Sequence, residues 1–345
     1  MIGLNKIGFF LILLLSSYAV CQSKESKLIR KNNDARFIQY TTDRCYSRSI
    51  FVYENFVYTA NSNGSVYKTD LKSDSSVNIL QGSSFEELRD LYYHNGILTA
   101  VQSGTTGKLI RTNTKRLLGE YAAKNDQWKQ LFIDGVDLKD AVGFLMGDPI
   151  EGKFQLFKST DYGINWLRCE GTVDAMEGEA GFAASGTNVQ VINDSTFVFV
   201  SGGKKSRFFR SNDRGKSWLT TSLPYMNSES SGAFSICMID TLNGVIVGGD
   251  YKNPDLCMNT CFYTDDGGKF WMNAETQTRG YRSCVFYSQG VFYCCGTNGI
   301  DYSTDGGQNW KPFANGIYMA LYADSQKLYA TRPNGSFQIF ELIEK

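Results

Sequence analysis

Three arginines, Arg48, Arg89 and Arg282, each open a run of β-forming residues: RSIFVYE, RDLYYH and RSCVFYS. A guanidinium offers paired, planar N–H donors, so three of them converging on one point would hold a carboxylate or sulfate through charge-assisted hydrogen bonds. The plainer reading is that each pairs with an Asp or Glu of a neighbouring element and holds the framework together. Three carboxylates form the other reactive set. Glu179 stands just before a further run of this kind, while Asp148 and Asp250 follow apolar runs, with Tyr251 and Lys252 beside Asp250. Two carboxyls facing one another would suit glycoside hydrolysis, where their separation distinguishes inverting from retaining chemistry. The candidate catalytic residues are therefore Asp148, Glu179 and Asp250, and the candidate ligand-binding residues are Arg48, Arg89, Tyr251 and Arg282.

Other chemistries find less. The one histidine, His94, lies in YYHNG, which reads as a hairpin with Asn95 and Gly96 at its tip. Ser185 in ASGTN has neither a G-x-S-x-G elbow nor a second His to activate it. No G-x-G-x-x-G follows a strand, so nicotinamide and flavin chemistry is rejected and no cofactor is expected. One His and no paired C-x-x-C spacing disfavour zinc, and no metal site is expected.

The 345 residues carry 35 Lys plus Arg and 35 Asp plus Glu, a formal net charge of zero. That balance, with no block of like charge, disfavours nucleic acid or an anionic membrane as the main partner. Five prolines, 34 glycines and abundant Tyr and Phe describe an all-β chain with tight turns. At the N-terminus, Lys6 precedes an uncharged apolar run from Ile7 to Val20, with Ala19 and Cys21 as the small residues before Gln22. This is the pattern of a cleaved secretory signal, residues 1–21, and no later stretch is long enough to span a membrane. A secreted or periplasmic location is expected. Acylation of Cys21 is the rival reading, disfavoured because Tyr18, Ala19 and Val20 make a poor lipobox. Cleavage leaves eight cysteines in an oxidising compartment. Cys257 and Cys261 bracket a short polar loop and are the best local pair. Cys294 and Cys295 are neighbours on one strand, face opposite ways and should not bond to each other.

What must position these residues is a repeat. STDYGINW (159–166), SNDRGKSW (211–218), TDDGGKFW (264–271) and STDGGQNW (303–310) share S/T-x-D-x-G-x-x-W, at intervals of about 40 to 50 residues. The carboxylates of Asp161, Asp213, Asp266 and Asp305 suit accepting backbone N–H groups of their own turn. Each glycine supplies a conformation other residues resist, and Trp166, Trp218, Trp271 and Trp310 suit packing between neighbouring sheets. These eight residues read as structural.

The repeat resembles the Asp box, or BNR repeat, of sialidases and other propellers. It implies a β-propeller in which each box turns between the third and fourth strands of a blade. On that template the chain divides into seven units, with inner strands beginning near Arg48, Arg89, Lys139 (KDAVGFLMG), Gly181 (GFAASGT), Ala233, Arg282 and Tyr318. Blades one and two have degenerate boxes, near Thr69–Ser73 and Thr112–Lys115, with Trp128 packing in the second. The last unit has three strands, and Arg36–Thr42 would supply the fourth, closing the ring and removing both sheet edges. The expected organisation is a signal over 1–21, a flexible leader over 22–34 and one seven-bladed all-β propeller domain over 35–345.

The stretches MGDPIEGKF, GEAGFAASGTN, SSGAFSI, VGGDYKNPD and GYRSCV resemble secreted bacterial propellers related to the photosystem II stability and assembly factors. The resemblance implies the fold and gives no transferable catalytic set. Sialidases share the repeat, but their early F-R-I-P motif is missing here, so the repeat does not confer their activity. On the propeller template the boxes mark one face, and the candidate arginines and carboxylates gather at the channel mouth on the other. Two functions follow as expectations. The first is a binding or assembly module for a protein or glycan partner, acting as a monomer. The alternative is a carbohydrate-active hydrolase or lyase working at the mouth.

Overall fold

The computed structural model describes residues 28–30, 35–80, 87–94, 96–104, 107–113, 121–123 and 130–344. The expected signal, most of the leader, Trp128 and part of the second degenerate repeat lie outside the described residues. Among the described residues all regular structure is β-strand, and the strands form seven antiparallel sheets. Six contain a four-stranded meander formed mainly by local pairing, while Glu179–Ala180 and Gly202–Gly203, from the blade 4 segment, extend the blade 5 sheet beyond its inner strand. Their inner strands are Ser47–Tyr53, Leu88–His94, Ile133–Lys139, Val189–Val191, Ser231–Met238 and Cys284–Ser288. The seventh blade takes Leu321–Ala323, Lys327–Arg332 and Ser336–Glu344 from the C-terminal end. Its fourth strand is Arg36–Gln39, with Arg36 opposite Ile339 and Gln39 opposite Ser336. Leu28–Arg30, within the leader, also pairs with Ser336–Glu344.

The core lies between successive blades. Phe144 stacks on Phe197 at 5.0 Å across blades 3 and 4, and Tyr293 meets Phe313 edge-on within blade 6. Each box tryptophan enters the layer shared with the preceding blade: Trp166 beside Val101 and Leu109, Trp218 beside Phe144, Trp271 beside Phe208, and Trp310 beside Val247. The turns behind them are alike. Asp161 accepts the Asn165 N–H at 2.9 Å, Asp266 that of Phe270 at 3.1 Å and Asp305 that of Asn309 at 3.0 Å. Asp213 accepts from both Lys216 and Ser217. Trp166 and Trp310 donate their indole N–H to the box glycine carbonyl at 3.0 Å. His94, at the turn of blade 2, stacks on Tyr162 of the next box with ring centroids 4.1 Å apart.

Two inner strands differ from expectation. In blade 3 the inner strand is Ile133–Lys139, and the stretch expected to start it supplies the second strand, Val142–Ile150. Asp134 and Asp137 made the true strand look like a turn, yet Asp134 is fully buried and Asp137 accepts the Val191 N–H of the next blade at 2.7 Å. In blade 4, GFAASGT is not a strand. It crosses the end of the channel, and the inner strand is Val189–Val191. Its small residues let it lie flat: a Cβ on Gly181 would stand 2.3 Å from the Asp134 carboxyl carbon, and one on Gly186 2.3 Å from that of Asp90.

The cysteines also differ. All eight described cysteines are free thiols, and Cys257 and Cys261 are not bonded. Cys257 is exposed on its loop, whereas Cys261 points into the core between blades 5 and 6 beside Val247 and Trp310.

Candidate functional site

The face opposite the boxes is organised by β-bulges. A bulge inserts one residue into a strand pair and re-aims its side chain. The pairing of the first and second strands skips one residue at Ser47/Ser49, Leu88/Asp90, Ile133/Gly135 and Ala233/Ser235. The skipped residues are Arg48, Arg89, Asp134 and Phe234, equivalent positions in blades 1, 2, 3 and 5, and all four gather around the channel mouth.

Glu87 joins the two arginines, accepting Arg48 Nε at 2.6 Å and Arg89 Nη2 at 2.7 Å. Burial opposes its ionisation, but Arg48 and then Arg89 outweigh that and hold its carboxyl below the ordinary value. Each arginine also fastens the crossing segment: Arg48 Nη1 donates to the Ala184 carbonyl at 3.2 Å and Arg89 Nη1 to that of Ala183 at 2.7 Å. Ser185 Oγ donates to the Ser283 carbonyl at 2.7 Å, and Asp148 accepts the Gly181 N–H at 2.9 Å. Blades 1, 2, 3 and 6 therefore hold one strap that seals this end of the channel.

Above the strap lies a cavity of about 460 Å³, lined on one side by Arg48, Arg89 and Asp148 and on the other by aromatic rings. Phe182 lies 4.5 Å from Phe234, which meets Tyr281 edge-on at 4.8 Å, while Tyr251 stands 47% exposed over Phe182 and Phe234. Beneath the cavity neither carboxyl oxygen of the buried Asp134 has a hydrogen-bond partner. Burial first, then the neighbouring Asp148, push Asp134 well above the usual carboxylate range, and burial likewise raises Asp148. Both carboxyls therefore resist ionisation more than an exposed acid does.

The structure brings Arg48, Arg89, Asp148 and Tyr251 into one cavity and leaves the other candidates outside it. Glu179 is fully buried in an ion pair with Arg207, whose Nε donates at 2.8 Å, and it also accepts the Met176 N–H. Asp250 closes its own turn, accepting the Lys252 N–H at 2.9 Å and Asn253 Nδ2 at 2.8 Å. Arg282 is wholly buried: its Nε donates to Asp301 at 3.0 Å, its Nη2 pairs with the same carboxylate, and its Nη1 donates to Asn298 Oδ1. Glu179, Asp250 and Arg282 thus have their polar groups engaged within the framework. Sequence reasoning missed Glu87, Asp134 and the aromatic wall. The alternation of apolar residues around Phe182 and Phe234 reads as core, and no local pattern marks a bulge.

Among the described residues no helix is long and apolar enough to cross a membrane, and no group of three or more His, Cys, Asp or Glu is placed to hold a metal ion. No protein-family model matches this sequence, and no curated protein matches it. Solved structures do match. The WD40 propeller domain of Doa1 superposes with a TM-score of 0.65 at 11% identity, over 92% of this chain and 97% of that one. Virginiamycin B lyase from Staphylococcus aureus, solved as an inactive variant with quinupristin, gives 0.63 at 10% identity, over 90% and 99%. YCF48 bound to a D1 peptide gives 0.62 at 12% identity, over 91% and 99%. At these identities the likeness is one of fold: the chain is a seven-bladed β-propeller, similar in fold to one protein solved with a bound peptide and to one named as a lyase.

Proposed function

We propose that this propeller is a binding module that receives a segment of a protein partner in the mouth cavity. The observation that carries the reading is the arrangement of that cavity. An aromatic wall topped by the exposed Tyr251 stands beside two arginines, while Glu179 and Asp250, the carboxylates that would have to face Asp148 for hydrolysis, are engaged elsewhere. An apolar or aromatic side chain would lie against Phe182, Phe234 and Tyr251, with a hydrogen-bond acceptor of the peptide toward Arg48 and Arg89. The likeness to YCF48 with its D1 peptide supports a peptide over a glycan. The apolar N-terminal segment supports export of the chain, so the partner is sought outside the cytoplasm.

A second reading rests on the Asp134–Asp148 pair beside Arg89. Burial raises the Asp148 carboxyl, and an acid raised in this way is better suited to act as a general acid, as a lyase or hydrolase requires. One experiment separates the two. The purified protein is offered immobilised panels of peptides and of acidic and neutral glycans, and the recovered probes are weighed. Peptides retained intact, and released at least tenfold more easily from Tyr251→Ala with unchanged thermal unfolding, are the expected result. Glycans cleaved by the wild type and not by Asp148→Asn would replace the binding reading with the catalytic one.

A further inference from the structure

The strap that seals the mouth turns the rest of the channel into a blind well, open on the box face. The well has a volume of about 260 Å³ and is separate from the mouth cavity. Its collar is formed by Phe51, Tyr93, Phe286 and Tyr322, all half-buried, with Phe51 5.7 Å from Tyr93 and 5.6 Å from Tyr322, and Phe286 5.4 Å from Tyr322. Its carboxyls are those of Asp90, at the floor against Gly186, and Asp137, half-buried on the wall, and Tyr92, Tyr93, Tyr322 and Cys284 also line it. No Lys or Arg lines it. Lys139, next to the wall, donates its ammonium to the Ile192 carbonyl at 2.8 Å.

We infer that this well is a binding site for a small alkylammonium group, free or at the end of a lysine-like side chain, held by the aromatic collar above the Asp90 and Asp137 carboxyls. Ring faces attract a cation through their quadrupoles, most strongly where water is excluded, and a narrow aromatic collar supplies several faces at once. The carboxyls supply the charge that an apolar collar alone would lack. Asp90 accepts the Leu91 and Val136 N–H groups at 2.8 and 3.1 Å and the Ser49 hydroxyl at 3.2 Å, and Asp137 accepts the Val191 N–H. These bonds fix both carboxyls in place and leave lone pairs free. Burial raises both acids, Asp90 to about 7, and for Asp137 the Val191 N–H and the nearby Lys139 offset part of the shift. An anion would meet two like-charged groups and no donor cation, and a neutral apolar ligand would leave both carboxyls desolvated and unpaired.

The test uses tetramethylammonium as probe, with neutral 2,2-dimethylpropane-1,3-diol, a soluble molecule that shares its quaternary centre, as control, by calorimetric titration of the full chain at low salt. A proton NMR titration of the probe reads its placement, since methyl protons among aromatic rings shift upfield. The expected result is saturable binding of the cation, an upfield methyl shift, and at least tenfold weaker binding of the neutral control. Asp137→Asn keeps an acceptor for Val191 and should weaken binding about tenfold, and Tyr93→Leu several-fold with loss of part of the methyl shift. Equal binding of cation and diol, or no shift at saturating probe, overturns the inference. So does wild-type affinity in both variants. Tyr251→Ala, on the other face, should leave tetramethylammonium binding unchanged, so the mouth and the well stand or fall separately.

Discussion

Asp213 takes hydrogen bonds from the Ser217 hydroxyl first, then from backbone N–H groups of Lys216 and Ser217 and from Ser211, and its carboxyl is held down to about 2. A lowered acid stabilises the fold fully above its unfolded value of about 3.9, and that stability is lost as pH falls toward 2. Asp213→Ala should cost about 0.5–2 kcal/mol in urea denaturation at pH 7, by analogy with lost helix caps, and the mutant should lose less on acidification below pH 4 than the wild type. An unchanged midpoint would mean the turn holds without its carboxylate. Two glycines separate strain from crowding. Gly306 has φ +79° with open space around its missing Cβ, whereas Gly268 has φ +83° and a Cβ there would lie 2.2 Å from Phe208 Cε1. Gly306→Ala should cost about 1–2 kcal/mol from backbone alone and Gly268→Ala about 2–5 kcal/mol, because overpacking adds to the same strain. Equal losses would show that Phe208 yields freely. Asp213 and Gly268 were legible in the sequence because a tight turn leaves few residue types that satisfy its N–H groups and its positive φ, whereas Gly306 was not, since Tyr162 and Arg214 take a positive φ at the same place in their boxes. The fate of Cys261 was not, since which side of a strand faces a core depends on the neighbouring blade.

Arg282 and Arg48 look alike in the sequence, each followed by an alternating apolar run, but the elements that carry them aim them differently. Arg48 is the extra residue of a bulge and reaches the mouth; Arg282 precedes the regular strand Cys284–Ser288 and turns inward to Asp301. Asp301 also holds Arg279, whose Nε donates at 2.6 Å, so one carboxylate ties the start of blade 6 to its third strand. Removing Arg282 leaves the buried Asp301 with one of its two cations and deprives Asn298 Oδ1 of its donor. Arg282→Ala should therefore cost about 3–5 kcal/mol, measured by chemical denaturation, while any affinity at the mouth per folded molecule stays the same. A stable Arg282→Ala protein with lost binding would return this arginine to the site. The crossing segment carries the same lesson. Its residues 181–187 are small and weakly alternating, and read locally as a strand, but four blades compete for its carbonyls and hydroxyls, and those partners are distant in sequence. Long-range pairing of this kind overrides local propensity.

For the ring as a whole, closure by Arg36–Gln39 was legible because seven units left one blade a strand short, and an unpaired edge is costly. The charge state of the interior was not legible, since composition shows a net charge of zero and hides where the acids lie. Four of them, Asp90, Asp134, Asp137 and Asp148, surround the channel and its strap, and burial raises all four. A raised acid stabilises the fold fully below its unfolded value of about 3.9, and that contribution is lost as pH climbs through the folded value. For Asp90 the window runs from about 3.9 in the unfolded chain to about 7 in the folded one, which at about 1.4 kcal/mol per decade is on the order of 3–4 kcal/mol at full development. The box aspartates act in the opposite sense, but only below about pH 4. The ring should therefore be most stable near pH 4–5 and weaken steadily toward pH 8, as read by urea midpoints across that range. Asp90→Asn, which cannot ionise and still offers an acceptor to Leu91 or Val136, should flatten the slope between pH 5 and 8. A midpoint that rises through this interval would mean that the channel acids ionise against partners within the ring, and the well would then have no unmet negative charge to offer a cation.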